Sequence, residues 1–318
     1  MTTKQTPIHS GFGAQTTARE VIGSRRLDGL TAIVTGGYAG VGLETTRALS
    51  GAGATVIVPA RTPDKARAAL AGMNRVELES LDLIDPKSID AFAARFLASG
   101  RPLHILVNNA GIMATPLVRD ARGVESQLAT NYLGHFQLTE RLWPSLLNAN
   151  GARVISLSSR GHVRSAVDFD DPNFERRPYD KWVAYGQSKT ATALFAVALD
   201  ARGEPHRVRA FSVHPGAVIS ELMRSMSDEE IRAAVDRSRQ ISTFKTAEQG
   251  AATSVWSATS PQLDGMGGVY CEDCDIAEAV PADFPEQRGV RPWAIDPSLA
   301  ERLWTMGEAW TGVQFAAI

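Results

Sequence analysis

Apolar and polar positions fall in alternating blocks along most of this chain. An apolar run over residues 30–34 breaks at a glycine cluster and resumes over 41–49 with apolar positions at helical spacing, which predicts strand, tight turn, helix. The unit repeats. Residues 55–60 read as a strand, 63–70 as a helix opened by proline, 76–83 as a strand and 86–97 as a helix. A further strand over 103–107 runs into polar residues and is followed by a helical stretch from about 123 to 147. Strands over 153–157 and 208–213 flank a helix from about 182 to 202, and 268–271 reads as a seventh, edge strand.

Several strands are continuous apolar runs, such as Ala32-Ile33-Val34 and Ile105-Leu106-Val107, the pattern of strands covered on both faces. Strands that alternate with helices of about ten residues or more imply right-handed crossovers within one parallel sheet. The expected fold class is therefore α/β, a single Rossmann-like doubly wound sheet of about seven strands in the order 3-2-1-4-5-6-7. The expected organisation is an N-terminal arm over 1–28, one domain over 29–280 with a lid at about 219–245, and a C-terminal extension over 281–318 that packs on the domain.

Composition narrows the partners. The chain has 318 residues, 44% hydrophobic and 21% charged, an ordinary globular usage that excludes collagen-like or coiled-coil chains. Lys+Arg 33 against Asp+Glu 35 gives a net charge of -2, so no global field draws nucleic acid. No run of about 18 apolar residues predicts a membrane span, and residues 1–24 hold no apolar core of a signal peptide. A cytoplasmic location is the expectation. The two cysteines, Cys271 and Cys274, lie too close together to staple distant segments. With no second pair and no nearby histidine they make a poor zinc site, so no metal is expected.

Candidate chemistry begins at the first turn, Thr35-Gly36-Gly37-Tyr38-Ala39-Gly40-Val41-Gly42. Gly36 suits the tight turn, Gly40 lets backbone approach a pyrophosphate, and Gly42 lets the following helix pack on the strand. The helix N-terminus beyond them attracts phosphate. The second strand ends Pro59-Ala60-Arg61. Where a carboxylate would hold ribose hydroxyls, an arginine suits a 2′-phosphate, so NADP(H) is favoured, with NAD(H) possible. Asp82, beside Leu83, can accept a hydrogen bond from an adenine amino group, or it can serve the turn into the next helix. Asn108-Asn109-Ala110-Gly111 ends the fourth strand with small residues that allow a flat ligand close to backbone.

Tyr185 and Lys189 are four residues apart on a predicted helix, hence on one face. A tyrosine ionises near pH 10, and a neighbouring ammonium favours the phenolate, so the pair is expected to exchange protons with a substrate oxygen near neutral pH. Upstream, Ser158 and Ser159 end a strand at the C-terminal edge of the sheet, where open parallel sheets bind ligands.

Taken together, residues 35–42 and 108–111, Ser159, Tyr185, Lys189 and the turn His214-Pro215-Gly216-Ala217-Val218 resemble the short-chain dehydrogenase/reductase family over about residues 29–275. Thr130 to Phe136, the long segment between Ser159 and Tyr185, and the arm over 10–21 resemble its retinol-dehydrogenase and WW-domain-oxidoreductase branch. The resemblance implies an oxidoreductase that interconverts an alcohol and a ketone or aldehyde, with Tyr185 moving the proton and Ser159 orienting the oxygen. It implies that Lys189 binds the nicotinamide ribose and lowers the tyrosine pKa, and that Asn131 holds a water linking Lys189 to solvent. Gly36, Gly40 and Gly42, with Tyr38 and Val41 between them, would meet the diphosphate, Arg61 the 2′-phosphate, and Asp82 and Leu83 the adenine. Asn109, Ala110 and Gly111 would line the groove. Pro215, Gly216, Val218 and Ser220 would pass beneath the nicotinamide. Ser220 stands where many relatives have threonine, and Ala39 replaces a basic residue common in NADP users.

Two competing functions share this pattern: a non-catalytic NADP(H)-sensing protein, and an epimerase or dehydratase on the same fold. The expected partner is a small carbonyl or alcohol compound, with self-association as a homodimer or homotetramer open. His162 is a candidate to touch substrate or to cap a loop, and His214 to serve packing. Residues 221–239, carrying Leu222, Met223, Met226, Ile231 and Val235, read as a helical lid. Trp293, Trp304 and Trp310 in the tail are expected to pack on the body or on a partner subunit.

Overall fold

A computed structural model describes residues 3–241 and 244–315. Eight strands form one sheet: β1 Thr31–Val34, β2 Thr55–Ala60, β3 Val76–Ser80, β4 Ile105–Asn108, β5 Ala152–Leu157, β6 Val208–His214, β7 Val269–Glu272 and β8 Asp275–Ile276. Their order is 3-2-1-4-5-6-7-8. β1 to β7 pair in parallel and β8 returns antiparallel to β7, one strand beyond the seven expected. The hairpin between β7 and β8 turns on Asp273 (φ 52°) and Cys274 (φ 61°), two consecutive positive φ values that close a tight antiparallel turn. The Cys-x-x-Cys spacing is thus that of a hairpin. Both thiols are free and buried, and burial pushes both above their ordinary range.

The helices are α1 Ala18–Ile22, α2 Gly40–Gly51, α3 Pro63–Ala69, α4 Pro86–Ala98, α5 Ser126–Leu128, α6 Gly134–Arg141, α7 Trp143–Asn148, α8 Lys181–Gly203, α9 Asp228–Ile241, α10 Ala247–Thr259 and α11 Pro297–Thr311. Successive strand residues point to opposite faces, and the core divides accordingly. Ile33, Ile57, Leu106 and Val154 pack with Phe92, Phe136, Phe195 and Trp304 on the α4, α6, α8 and α11 face. Val34, Val58, Val107 and Ile155 pack with Leu49, Val255 and Trp256 on the α2 and α10 face.

Three elements differ from the sequence pattern. The third strand stops at Ser80, so Asp82 and Leu83 sit in the loop beyond it. The helical stretch expected over 123–147 is three helices with a π-turn, Ala129–Leu133, joining α5 to α6 and a break before α7, whose second residue is Pro144. Proline lacks the N–H that a continuing helix requires. The lid is a single 3-10 turn, Glu221–Ser225, followed by α9, because Met226 is extended (φ -97°, ψ 150°).

The flanking segments are built into the body. Gln5 of the arm lies along β7, its Nε2 donating to the carbonyls of Tyr270 (2.8 Å) and Ala277 (2.7 Å) and its Oε1 accepting from Tyr270 N–H (2.9 Å). Between β5 and α8 the chain wraps around the Asp171 carboxylate, which accepts the N–H groups of Glu175, Arg176 and Arg177 at 2.8, 3.1 and 3.0 Å. Trp304 is buried edge-on to Phe136 and stacked on Phe195, so α11 completes the core over α8. Among the described residues no helix is long and apolar enough to cross a membrane.

Candidate active site

A cavity of about 470 Å³ runs along the C-terminal edge of the sheet, from the β1–α2 turn to the start of α8. At its floor Gly36 adopts φ 63° and Gly40 φ 50°, conformations in which glycine alone is unstrained. Gly42 is required for a different reason. A Cβ there would stand 2.4 Å from both Asn109 Nδ2 and the Gly36 carbonyl oxygen. The turn, the first turn of α2 and the end of β4 are therefore one packed unit, with backbone facing the cavity.

Thr35 binds this unit together. Its Oγ1 accepts the N–H groups of Asn109 (2.9 Å) and Ala110 (3.0 Å), and its carbonyl accepts from Asn109 Nδ2 (2.8 Å). The same hydroxyl lies 2.9 Å from His135 Nε2, while His135 Nδ1 lies 3.1 Å from the Asn131 carbonyl. Burial holds His135 down at about 4, so the ring is neutral. A proton on Nδ1 satisfies Asn131, and Nε2 then accepts from Thr35. Asn131, in the π-turn, grips Ile112 from both sides, accepting its N–H at 2.9 Å and donating to its carbonyl at 3.0 Å, and donates to Ser188 Oγ at 2.9 Å. The unpredicted π-turn thus carries the one expected site residue that does not itself line the cavity.

α8 begins where Asp180 accepts the N–H groups of Trp182 (2.7 Å) and Val183 (2.9 Å). This fixes the face that carries Tyr185 and Lys189 into the cavity. Ser159 lines the cavity beside Tyr185 and accepts the Gly161 N–H at 3.0 Å. Gly161 packs so closely on the Tyr185 ring that a Cβ would stand 2.7 Å from Cε1. Lys189 Nζ lies 5.7 Å from the ring centroid and donates to the Leu157 carbonyl at 2.7 Å. Against the expectation from spacing, the ammonium does not dominate. Burial pushes the Tyr185 phenol up to about 12, with the Ser159 hydroxyl pulling the other way, and burial draws Lys189 down to about 8. At neutral pH the phenol rests protonated, a donor rather than a base.

Every other residue expected to meet the cofactor lines this cavity: Tyr38, Val41, Arg61, Asp82, Leu83, Asn109, Ala110, Gly111, Pro215, Gly216, Val218 and Ser220. Arg61 is exposed beside Ala60 at one end. Tyr38 is half-buried, its ring shared between the cavity and the core beneath α2 and α10. His214 lines the cavity too, burial holding it well below its usual range, with the cations Arg160 and Lys245 adding to this.

The opposite wall could not be read from motifs. Met113, Trp182, Met226 and Phe244 make it apolar, and Arg164 and Gln287 add polar groups. Met226 and Phe244 had a signal, their place in the expected lid. Gln287 comes from the C-terminal extension, more than 80 positions beyond the end of α8 in sequence. The lid is tied to the body at both ends. Glu221 pairs with Lys65 at 2.6 Å and Glu230 with Lys181, and Val218 bridges Lys245 in parallel, whose Nζ meets Asp273 at 2.5 Å. His162 does not line the cavity; it is buried behind Ser159.

A doubly wound sheet with a glycine-floored cavity across its switch point defines a dinucleotide-binding class of protein. Comparison gives the particular family. The family model of the short chain dehydrogenases matches residues 30–231. A probable oxidoreductase of Streptomyces lividans is 45% identical over 292 residues, covering 88% of this chain and 97% of that one. Human retinol dehydrogenase 12 is 37% identical over 297 residues, covering 91% and 89%. Among solved structures, the RhlG/NADP active-site complex of Pseudomonas aeruginosa superposes with a TM-score of 0.63 at 22% identity, covering 78% of this chain and 95% of that one. The chain belongs to the short-chain dehydrogenase/reductase family, in its retinol-dehydrogenase-like branch, and is an oxidoreductase.

Proposed function

We propose that the protein interconverts a hydrophobic alcohol and the corresponding ketone or aldehyde with NADP(H). The observation that carries this reading is the convergence of Ser159, Tyr185 and Lys189 on one cavity that is continuous with the glycine turn, with Lys189 fixed by the Leu157 carbonyl. The cavity fits a dinucleotide: its floor is backbone at Gly36, Gly40 and Gly42, where side chains would collide or strain, and its far end carries Arg61 and Asp82. The RhlG complex holds NADP on the same fold, which supports a nicotinamide cofactor here.

The bound dinucleotide supplies the hydride, or accepts it in the reverse direction. The Ser159 and Tyr185 hydroxyls hold the substrate oxygen between them. Tyr185, protonated at neutral pH, donates its proton as the carbonyl is reduced and takes one back in alcohol oxidation. Lys189, fixed by the Leu157 carbonyl, holds the ribose and carries positive charge beside the developing phenolate. Asn131 shapes the loop at Ile112 and supports a water relay to Lys189. Arg61 takes the 2′-phosphate, which its planar guanidinium suits. The wall of Met113, Trp182, Met226 and Phe244 favours an apolar substrate body.

The test is an assay of NADPH against NADH oxidation over a panel of hydrophobic ketones and aldehydes, with NADP+ reduction by the matching alcohols. Turnover of at least one carbonyl with NADPH preferred is the expected result. Cofactor binding by calorimetry with no turnover across the panel overturns the catalytic reading.

A further inference from the structure

His162 lies three residues beyond Ser159 and is fully enclosed, yet its ring makes more contacts than packing requires. Arg291 N–H donates to Nε2 at 3.2 Å, so the proton of the neutral ring sits on Nδ1. Nδ1 lies 2.8 Å from the Ser159 carbonyl oxygen, which also accepts the His162 backbone N–H at 3.1 Å. Two donors from one residue hold the backbone that carries the Ser159 hydroxyl. The Tyr270 hydroxyl stands 3.3 Å from the same Nδ1, and the Oγ of Ser158, next to Ser159, donates to the Lys189 carbonyl at 2.7 Å. The His162 backbone is held as well: Trp293 Nε1 donates to its carbonyl at 3.0 Å.

Two of the residues that hold His162, Arg291 and Trp293, belong to the C-terminal extension. Arg291 is itself buried, and its guanidinium collects the carbonyls of Arg288, Phe284 and Glu286 at 3.1, 2.7 and 2.9 Å. One arginine thus folds the loop that brings Gln287 to the cavity wall, while its backbone N–H orients the His162 ring. The order of contacts runs from extension to His162 to Ser159, with no other side chain between.

We propose that His162 is a positioning residue that transmits the fold of the C-terminal extension to the Ser159 hydroxyl, so that the extension governs turnover and substrate fit, not cofactor binding. The proposal rests on the reading of Ser159 as the residue that holds the substrate oxygen. Displacement of a reacting group by about 1 Å costs on the order of 100-fold in rate, so a ring that fixes Ser159 has leverage without touching substrate.

The experiment compares His162→Leu, His162→Asn, Trp293→Phe and Ser159→Ala in the full chain, with NADPH affinity by fluorescence titration and kcat and KM for the best carbonyl of the panel. Asparagine places an amide donor where Nδ1 stands. His162→Leu is expected to lose at least about tenfold in kcat with NADPH affinity within about twofold, and His162→Asn to regain most of it. Trp293→Phe, which leaves the His162 ring in place but removes one of two donors to its carbonyl, the other being Thr190 Oγ1, is expected to show a smaller loss of the same kind. Full kcat in His162→Leu, or equal loss of kcat and NADPH affinity in both His162 variants, overturns the proposal. Full activity in Ser159→Ala would instead overturn the reading on which it rests.

Discussion

The Thr35 hydroxyl and His135 Nε2 meet at 2.9 Å, and this one contact joins the cofactor-side turn of β1 to the π-turn that carries Asn131. Thr35 Oγ1 also accepts the N–H groups of Asn109 and Ala110 at the end of β4, the first of them shared with the Val107 carbonyl at 3.0 Å. Thr35→Val keeps the shape and removes this partner from the buried His135 Nε2 and the half-buried Ala110 N–H. The expected cost is about 1–3 kcal/mol, read as a lower urea midpoint with unchanged slope, together with weaker NADPH binding. An unchanged midpoint would show that the turn does not depend on this hydroxyl.

Tyr185→Phe removes the proton and leaves the ring against Gly161. NADPH affinity is expected to stay within about twofold while kcat falls by at least about 100-fold, the usual scale of a lost general acid. Calorimetry and single-turnover hydride transfer separate the two. Turnover near that of the parent would exclude Tyr185 as the proton donor.

Arg61→Ala leaves the glycine turn intact and removes the cation at the far end of the cavity. KM for NADPH is expected to rise by at least about tenfold with little change for NADH, since the loss concerns only the 2′-phosphate. Equal effects on both cofactors would locate the phosphate elsewhere. Lys65, held by Glu221 at 2.6 Å, would be the first alternative.

Burial holds His135 and His162 down at about 4, against an ordinary 6.5. Between pH 6.5 and 4 the unfolded chain therefore binds more protons than the folded one, and stability rises with pH across that window. Acidification from 6.5 should destabilise the fold progressively. Glu140, raised to about 7 by burial, works in the opposite sense between its ordinary 4.5 and 7. The histidine contribution is isolated by comparing the pH dependence of the urea midpoint in the parent and in His135→Gln, which keeps an acceptor toward Thr35. A shallower acid slope in the variant is expected, and parallel curves would exclude the histidine as a source.

Lys189 shows where the two levels of information part. That it shares a helix face with Tyr185 follows from a spacing of four, and that the pair reaches a ligand follows from the strand ending at Ser158 and Ser159. Proton affinities did not follow, because burial depends on every element packed around α8, and it outweighs the charge of one neighbour. The same division holds along the chain. Local rules, such as glycine at positive φ and apolar runs doubly covered, determined the seven parallel strands and the glycine turn, and the family resemblance supplied the rest of the line of residues from Gly36 to Ser220 that floors the cavity.

Long-range packing decided the rest. The π-turn at Asn131 depends on Thr35 and His135 meeting across about 100 positions, and the β8 hairpin depends on a turn without glycine that the fold holds at positive φ. His162 stood in the sequence as a histidine beside a serine strand. Only the return of the extension, with Arg291 N–H against Nε2 and Trp293 against its carbonyl, fixed the proton on Nδ1 and turned the ring from the cavity toward Ser159. Sequence periodicity carries the information that a short segment needs to choose strand, turn or helix. It does not carry the identity of a partner that arrives from more than a hundred residues away, and that is where the substrate wall and the support of Ser159 were settled.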